Sequence, residues 1–406
     1  MFDFLKTNAR WLGAGALLAF SSAYGQTFFI SLFAGHIQRD FGLSHGEWGQ
    51  IYMFGTLASA VVMVWAGTLT DAFRARILGP VVLGLLAVAC VSMALNPWVW
   101  GLPFVIFLLR FSGQGMLSHI SVVSMSRWFV ATRGRALAVA TLGFSVAESL
   151  LPMAFVAMLG FIYWKNAWLL AAAMALVAIP LLRWLLAQER TPQSIANSDV
   201  TTGMNNQHWT RTGAITHPLF WFMMPALLGP SAFNTTFFFF QVHFADIKGV
   251  EHLHMVAMFP VYTVAGISAM VLSGILLDRL GTARLLPFYQ LPMVVAFCVF
   301  AYAQGLGGIL LGFVFLAMTA GANSTLPNAF WAEFYGTKNL GAIKAAAAAI
   351  MVLGSAIGPW AVGYFLDAGV TLETQFIWVA GFFIFATCMM WFGIWRYKSL
   401  LSPPLA

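Results

Sequence analysis

The sequence predicts an all-α integral membrane protein with twelve transmembrane helices in two pseudo-symmetric six-helix bundles. Two observations predict it. Of the 406 residues, 61% are hydrophobic and 8% are charged, whereas a soluble protein carries about 25% charged residues. The apolar residues also fall in long runs, and a helix of about 20 apolar residues crosses a bilayer. The bilayer is therefore the expected solvent for most of the chain.

Twelve apolar runs can be marked, and each predicts one helix. The polar stretch between the sixth and seventh runs is rich in Thr, Ser, Asn and Gln. It predicts a cytoplasmic linker over 188–217, between an N-terminal bundle over 1–187 and a C-terminal bundle over 218–406. The predicted helices are 11–34, 48–67, 77–95, 101–124, 136–158, 167–187, 218–242, 255–277, 285–304, 307–330, 342–365 and 374–396.

The two halves repeat one pattern. Residues 67–78 read GTLTDAFRARIL, and residues 274–285 read GILLDRLGTARL. Gly67 and Asp71 recur 207 positions later as Gly274 and Asp278, and the same offset carries Pro152 to Pro359. The chain is therefore a tandem of two homologous halves, an arrangement typical of proteins that move one bundle against another.

The charges of the loops predict the orientation. Sixteen of the 20 Lys and Arg residues lie on the side that holds both termini, and three lie on the other side. Positive residues stay in the cytoplasm during insertion. We therefore expect both termini in the cytoplasm, in a cell's inner (plasma) membrane.

Several classes of function are disfavoured. The net charge of +7 comes from those loops, so it does not indicate nucleic-acid binding. Cys90, Cys298 and Cys388 fall inside apolar runs with no disulfide or metal spacing. No phosphate-binding loop or catalytic triad is present, so we expect neither an enzyme nor a cofactor. We expect a monomer.

The repeated segment resembles a signature of the major facilitator superfamily, G-x-x-x-D-[RK]-x-G-x-[RK]. The resemblance implies secondary transport by alternating access, and a conformational latch in which Asp71 braces the start of the eleventh helix near Gly341. An ordinary solvated loop is the alternative. The residues that carry the latch are Gly67, Asp71 and Arg74 in the first copy and Gly274, Asp278, Arg279 and Arg284 in the second.

A narrower stretch resembles the monocarboxylate porter family. Residues 126–143 read SRWFVATRGRALAVATLG, similar to that family's signature between the fourth and fifth helices. The family's acidic residue followed by glycine in the first helix is missing. LLRFSGQG at 108–115 resembles the arginine motif of drug–proton antiporters, whose fifth-helix signature is absent.

Two charges lie inside the predicted helices. Arg110 shares a face of the fourth helix with Gln114, four residues on, and an arginine within a membrane helix indicates a functional site. Glu148 is the only acid inside an apolar run, at a similar depth in the fifth helix. The two form a structural tie, or a pair that couples protons to substrate, or else Arg110 binds an anion alone and Glu148 hydrogen-bonds elsewhere.

Small polar residues cluster on the first, fourth, seventh and tenth helices, which line the central cavity in the superfamily. They either contact substrate or pack helices together. The candidate substrate-binding residues are Tyr24, Gln26, Thr27, Arg110, Gln114, Asn234, Thr235, Asn323 and Asn328, and the candidate proton-coupling residues are Glu148 and Arg110.

The sequence therefore predicts a secondary active transporter that moves a small organic anion, a carboxylate, together with protons. Its expected partners are that small molecule, protons and the lipid bilayer. A proton-antiport exporter of a larger amphipathic metabolite or drug is the alternative. A non-transporting membrane receptor is a third possibility.

Overall fold

The computed structural model describes residues 2–129, 132–188 and 202–401. In this part of the chain the secondary structure is helical throughout. Twelve spans follow one another at the predicted places, which confirms the twelve-helix fold class. The spans are α1 (Phe4–Gly25 with Thr27–Phe41), α2 (His45–Ala66), α3 (Ala75–Leu95), α4 (Val99–Trp128), α5 (Arg133–Leu159), α6 (Trp164–Leu185), α7 (218–247), α8 (His252–Leu280), α9 (Thr282–Tyr302), α10 (Gly305–Tyr335), α11 (Leu340–Asp367) and α12 (Leu372–Tyr397).

Ten of these spans are long and apolar enough to cross a membrane, and α1 qualifies as a bent pair. The bend in α1 is 48°. It lies at Gln26, whose extended backbone (φ −85°, ψ 154°) follows a short 3-10 turn, Ser22–Gly25. The sequence predicted one continuous helix here, because its apolar run gives no sign of a break.

The twelfth span, α7, is made of short pieces. Its first helix, Pro218–Gly229, passes into a π-helical turn, Pro230–Asn234. Pro230 has no N–H to donate to the carbonyl of Ala226, so regular helical bonding stops there. The helices Thr235–Phe239 and Gln241–Ile247 follow. Pro225, Gly229 and Pro230 all favour an irregular helix at this point.

The spans group into two compact units. The first holds the described residues up to the linker together with Phe238–His243 of α7, and the second holds the rest. Hydrogen bonds explain why this short segment belongs to the first unit. Gln241 donates from Nε2 to the Phe28 carbonyl at 2.9 Å and to the Ser31 hydroxyl at 2.7 Å, and Ser31 donates to the Phe238 carbonyl at 2.6 Å.

Aromatic rings fill the core of the second unit. Phe237 stacks on Phe300 with ring centroids 4.4 Å apart, and the edge of Phe313 meets Phe237 at 5.5 Å. Edge-to-face and offset pairs of this kind stabilise beyond simple area burial. Three buried phenylalanines from α7, α9 and α10 thus hold these helices of the second unit together.

Part of the predicted linker is folded onto the second unit. Met204 and Ala214 are fully buried in its core, and Asn339 donates from Nδ2 to the Trp209 carbonyl at 2.9 Å. A Cβ on Gly203 would lie 2.7 Å from the backbone nitrogen of Gly336. The apolar residues scattered through this polar stretch therefore anchor it.

Candidate functional site

The site begins where α1 and α4 touch backbone to backbone. A Cβ on Gly113 would lie 2.6 Å from the Cα of Gly25, which is closer than real Cβ contacts. The α4 backbone here is π-helical over Arg110–Leu117, a geometry that is frequent at functional sites. The two glycines therefore allow the break in α1 to rest directly on the irregular turn of α4.

This contact brings Arg110 to the broken end of α1. Its Nη1 donates to the Gly25 carbonyl at 3.4 Å and to the Thr27 hydroxyl at 3.2 Å. A helix that stops leaves carbonyls without partners, so the break supplies an acceptor for the guanidinium. The arginine is 2% exposed, and two of the predicted site residues, Arg110 and Thr27, are in direct contact.

Tyr52 of α2 completes the surroundings of the arginine. Its hydroxyl shares a 2.5 Å hydrogen bond with the Thr27 hydroxyl, and its ring lies 5.3 Å from the guanidinium carbon. A ring face at this distance attracts a cation. Phe239 also packs against Tyr52, with the two ring centroids 4.8 Å apart.

One edge of the guanidinium has no acceptor. Nε is buried without a hydrogen-bond partner, and Nη2 makes no hydrogen bond within the described part of the chain. Nε and Nη2 carry three of the five N–H donors of an arginine. In arginines, this edge is the fork that grips a carboxylate through two parallel hydrogen bonds.

Glu148 does not neutralise Arg110. Among the described residues no ion pair within 4.0 Å joins them, and the carboxyl has no hydrogen-bond partner there. Pro152, four residues on, has no N–H for the carbonyl of Glu148, so the backbone around this acid is also irregularly bonded. Within the described residues, the two charges are therefore not joined in an ion pair.

The other candidates of the first unit have different surroundings. Tyr24 is buried, and its hydroxyl contacts the sulfur of Met174 at 3.4 Å, while its ring meets Phe29 edge-on. It packs α1 against α6. Gln26 and Gln114 are half-buried, and they flank the contact between Gly25 and Gly113 in sequence.

The second unit contains a separate polar network. Tyr289 of α9 donates from its hydroxyl to Oδ1 of Asn323 at 3.1 Å and to the Ala226 carbonyl at 3.4 Å. Nε2 of Gln290 also donates to that carbonyl. This is the carbonyl that Pro230 leaves without a helical partner, so the two side chains satisfy a buried group whose exposure to hydrocarbon is costly.

The remaining candidates of the second unit are partly accessible. Asn234 and Thr235 are half-buried at the irregular turn of α7, and Oδ1 of Asn234 has no partner among the described residues. Asn328 is exposed and donates to the Ser324 carbonyl at 2.7 Å.

A family model describes most of the chain. The model of the Major Facilitator Superfamily matches residues 15–359. The chain belongs to the Major Facilitator Superfamily. No curated protein matches it in sequence.

Solved structures of this superfamily share the fold. A bacterial homolog of the human lysosomal transporter Spinster, solved inward-facing and unoccupied, has a TM-score of 0.74 and 13% identity. The comparison covers 98% of this chain and 99% of that one. The nucleoside transporter NupG has a TM-score of 0.69 and 13% identity, covering 97% and 98%. These identities show the fold alone, and the superfamily membership makes the chain a transporter.

The superfamily signature loops are described in part. Arg127 at the end of α4 donates from Nη1 to the Thr70 carbonyl at 2.7 Å, which ties the first loop to the first unit. Gly67 is packed so that an added Cβ would lie 3.5 Å from Nε2 of His119. The side chain of Asp71 lies outside the described part of the structure. In the second loop Gly281 adopts a positive φ of +77°, which favours glycine.

Sequence reasoning missed Tyr52, Gly113 and Gln290. Tyr52 sits in an apolar helix where a single tyrosine carries no signal. Gly113 lies in RFSGQG, whose two glycines beside a buried arginine mark a weak helix. Gln290 follows a proline-rich turn, and only the missing N–H of Pro230 hints that some side chain must replace it.

Proposed function

We propose that this transporter moves a small organic anion, a carboxylate, in symport with protons. The proposal rests on the Nε–Nη2 edge of Arg110, which is buried, charged and without an acceptor in the described residues. Charge-assisted bidentate hydrogen bonds to a carboxylate would satisfy that edge. Thr27 accepts a hydrogen bond from Nη1 and the ring of Tyr52 lies against the guanidinium, so both residues hold it in place.

In this proposal Glu148 carries the proton. It is the one acid in the middle of a span of the first unit, and it has no ion-pair partner among the described residues. A carboxyl that is apart from the arginine can change its protonation while Arg110 holds substrate. Asn234, Thr235, Asn323 and Asn328 would supply hydrogen bonds from the second bundle as the two bundles alternate access.

The proposal includes the orientation predicted from the loop charges. Both termini would lie in the cytoplasm of an inner (plasma) membrane protein, with Asp71 and Asp278 in cytoplasmic latches. A reporter fused after Lys398 should then be cytoplasmic, and one inserted between Asp40 and Glu47 should be external.

Ligand binding by the purified protein tests the anion assignment. A ligand that binds the folded state raises the melting temperature by mass action, so a panel of mono- and dicarboxylates, matched with their neutral amides, should show stabilisation by a carboxylate only. Arg110→Lys keeps the charge and loses the planar fork. We expect it to weaken binding by about 10- to 100-fold, the worth of a charged hydrogen bond.

Arg396→Gln is the matched control, because it removes one exposed cytoplasmic charge at the end of α12. It should leave the carboxylate shift intact. Equal stabilisation by acid and amide, or an unchanged shift in Arg110→Lys, contradicts the proposal.

One observation favours the larger amphipathic substrate instead. The second unit contains an apolar cavity of about 360 Å³ between α7, α11 and α12, with Phe233, Phe365 and Trp378 in its walls. The same panel should therefore include neutral amphipathic compounds. Their stabilisation of both the wild type and Arg110→Lys would support the exporter.

A further inference from the structure

A cluster of arginines lies at one end of the first unit, away from Arg110. A single cleft of about 600 Å³ is lined by Arg74 and Arg76 at the start of α3 and by Arg183 in the last turn of α6. Its volume is in the range of small-molecule sites. Three positive charges therefore border one cavity.

These charges are not neutralised within the described part of the chain. No carboxylate lies within 4.0 Å of any of the three arginines there. Arg76 donates from Nη1 to the Ala187 carbonyl at 3.1 Å, beyond the end of α6, and the dipole of that helix favours cations nearby. The side chains of Arg74 and Arg183 make no hydrogen bond with other described residues. Like charges around one cavity repel one another, and a bound anion would offset that repulsion.

The remaining walls of the cleft are apolar and belong to the membrane-facing surface. Ile77 and Val81 line it and are 58% and 63% exposed. They lie four residues apart on α3, so they form one face that runs from the arginines toward the middle of the span. A soluble anion gains nothing from contact with such an apolar wall, whereas the acyl chain of a lipid packs against it.

A tryptophan marks the level of the membrane surface beside the cleft. Trp184 follows Arg183 and is 59% exposed, and Arg10 lies 5.3 Å from its ring. Exposed tryptophans are enriched where hydrocarbon meets headgroups. The arginines of the cleft are thus at headgroup depth, with exposed hydrocarbon-facing side chains next to them.

The cluster is not imposed by the internal repeat. The 207-residue offset relates Arg74, Arg76 and Arg183 to Gly281, Ala283 and Met390, none of which is charged. α3 and α6 pack tightly here, since a Cβ on Gly79 would lie 2.6 Å from a methyl group of Leu182. The positions of these three arginines are therefore not repeated in the second unit, and they lie on two closely packed helices.

We propose that this cleft binds the headgroup of an anionic phospholipid, with its phosphate held by Arg74, Arg76 and Arg183 and an acyl chain along Ile77 and Val81. Arginine forks recognise phosphate through paired hydrogen bonds. Basic pockets between transmembrane helices on the cytoplasmic side bind anionic headgroups in this way.

The test measures lipid retention directly. Wild-type protein is reconstituted in nanodiscs that contain phosphatidylcholine and phosphatidylglycerol in equal amounts, released, and analysed by native mass spectrometry for bound lipid. We expect phosphatidylglycerol to be retained preferentially. Replacing all three arginines (R74Q, R76Q and R183Q) should weaken that binding by about a hundredfold, because each basic residue near the surface contributes about one fivefold factor.

Two variants keep the result interpretable. Replacing Lys338, Arg396 and Lys398 with Gln removes the same charge from the second unit and should leave lipid retention unchanged. Replacing the three arginines of the cleft with Lys keeps charge and fold and should retain more lipid than the Gln variant. If the second-unit control loses as much bound phosphatidylglycerol as the Gln variant of the cleft, net charge alone attracts the lipid. That result would overturn the proposal.

Soluble probes separate a lipid site from a free-anion site. Glycerol 1-phosphate and inorganic phosphate are titrated as competitors against bound phosphatidylglycerol. The proposal predicts that neither displaces the lipid at concentrations at which added phosphatidylglycerol does, because neither uses the wall of Ile77 and Val81. Displacement by inorganic phosphate alone would identify a site for a soluble anion and refute the lipid assignment.

Discussion

The contact between Gly25 and Gly113 gives the sharpest structural prediction. Gly113→Ala places a methyl group 2.6 Å from the Cα of Gly25, and backbone on both sides prevents a side chain from turning away. Overpacking of this kind costs about 1–3 kcal/mol. Alanine favours the helix over glycine by about 0.5–1 kcal/mol, so the net loss of stability should be about 0–2.5 kcal/mol.

Gly84→Ala is the matched control. Gly84 is also a helical glycine of the first unit, in α3, but a Cβ there meets nothing within 4 Å. The same substitution should then be neutral or stabilise by about 0.5–1 kcal/mol. The two variants should differ by the overpacking cost alone, about 1–3 kcal/mol, with Gly113→Ala the less stable.

Thermal unfolding of the purified variants in one detergent measures this difference, and carboxylate binding measures its consequence. If α4 is pushed from the break in α1, Arg110 loses the Gly25 carbonyl and the affinity falls as well. Equal melting temperatures for Gly113→Ala and Gly84→Ala would refute the close backbone approach on which the site is built.

Three further predictions concern charge. In a double-mutant cycle, the effects of Arg110→Ala and Glu148→Ala on stability should add within about 0.5 kcal/mol, because the two side chains are not paired. A larger coupling energy would show that the two charges interact and would contradict this arrangement. Asp71→Asn should reduce transport with substrate affinity little changed if the loop is a latch, and a collapse of affinity would contradict that role. Burial lowers the pKa of His217, which caps α7 through Nδ1, so the unfolded state binds more protons and stability should fall as pH drops below about 6.5. His217→Asn should reduce the change of stability with pH, whereas His208→Asn, at an exposed position, should not. An unchanged dependence of stability on pH in His217→Asn would contradict this prediction.

The fold could be predicted from composition, run lengths and the 207-residue repeat, because each can be read from the order of residues without knowledge of tertiary contacts. The break in α1 could not. It depends on α4 approaching at Gly113, and only tertiary structure reveals that approach. The helical rise places Arg110 and Glu148 at similar depths, but depth does not fix the direction in which a side chain points.

The candidate site was predictable only in part. Arg110 and Thr27 were identified because polar groups inside apolar runs are costly and need a reason. Tyr52 was not, because a tyrosine in an apolar helix is unremarkable until its hydroxyl is seen beside Thr27. Gln290 donates to the carbonyl that would otherwise accept from the N–H that Pro230 lacks. The sequence does not indicate which helix supplies this donor.

Transport by reconstituted protein tests the central claim most directly. Proteoliposomes are loaded at one pH and diluted into another, and uptake of the carboxylate that stabilises the protein is followed for the wild type, Arg110→Lys and Glu148→Gln. The account predicts gradient-driven uptake by the wild type, loss of saturable uptake in Arg110→Lys, and exchange that no longer responds to the pH gradient in Glu148→Gln. Uptake by Arg110→Lys with wild-type rate and half-saturation would contradict the assignment of Arg110 as the anion ligand.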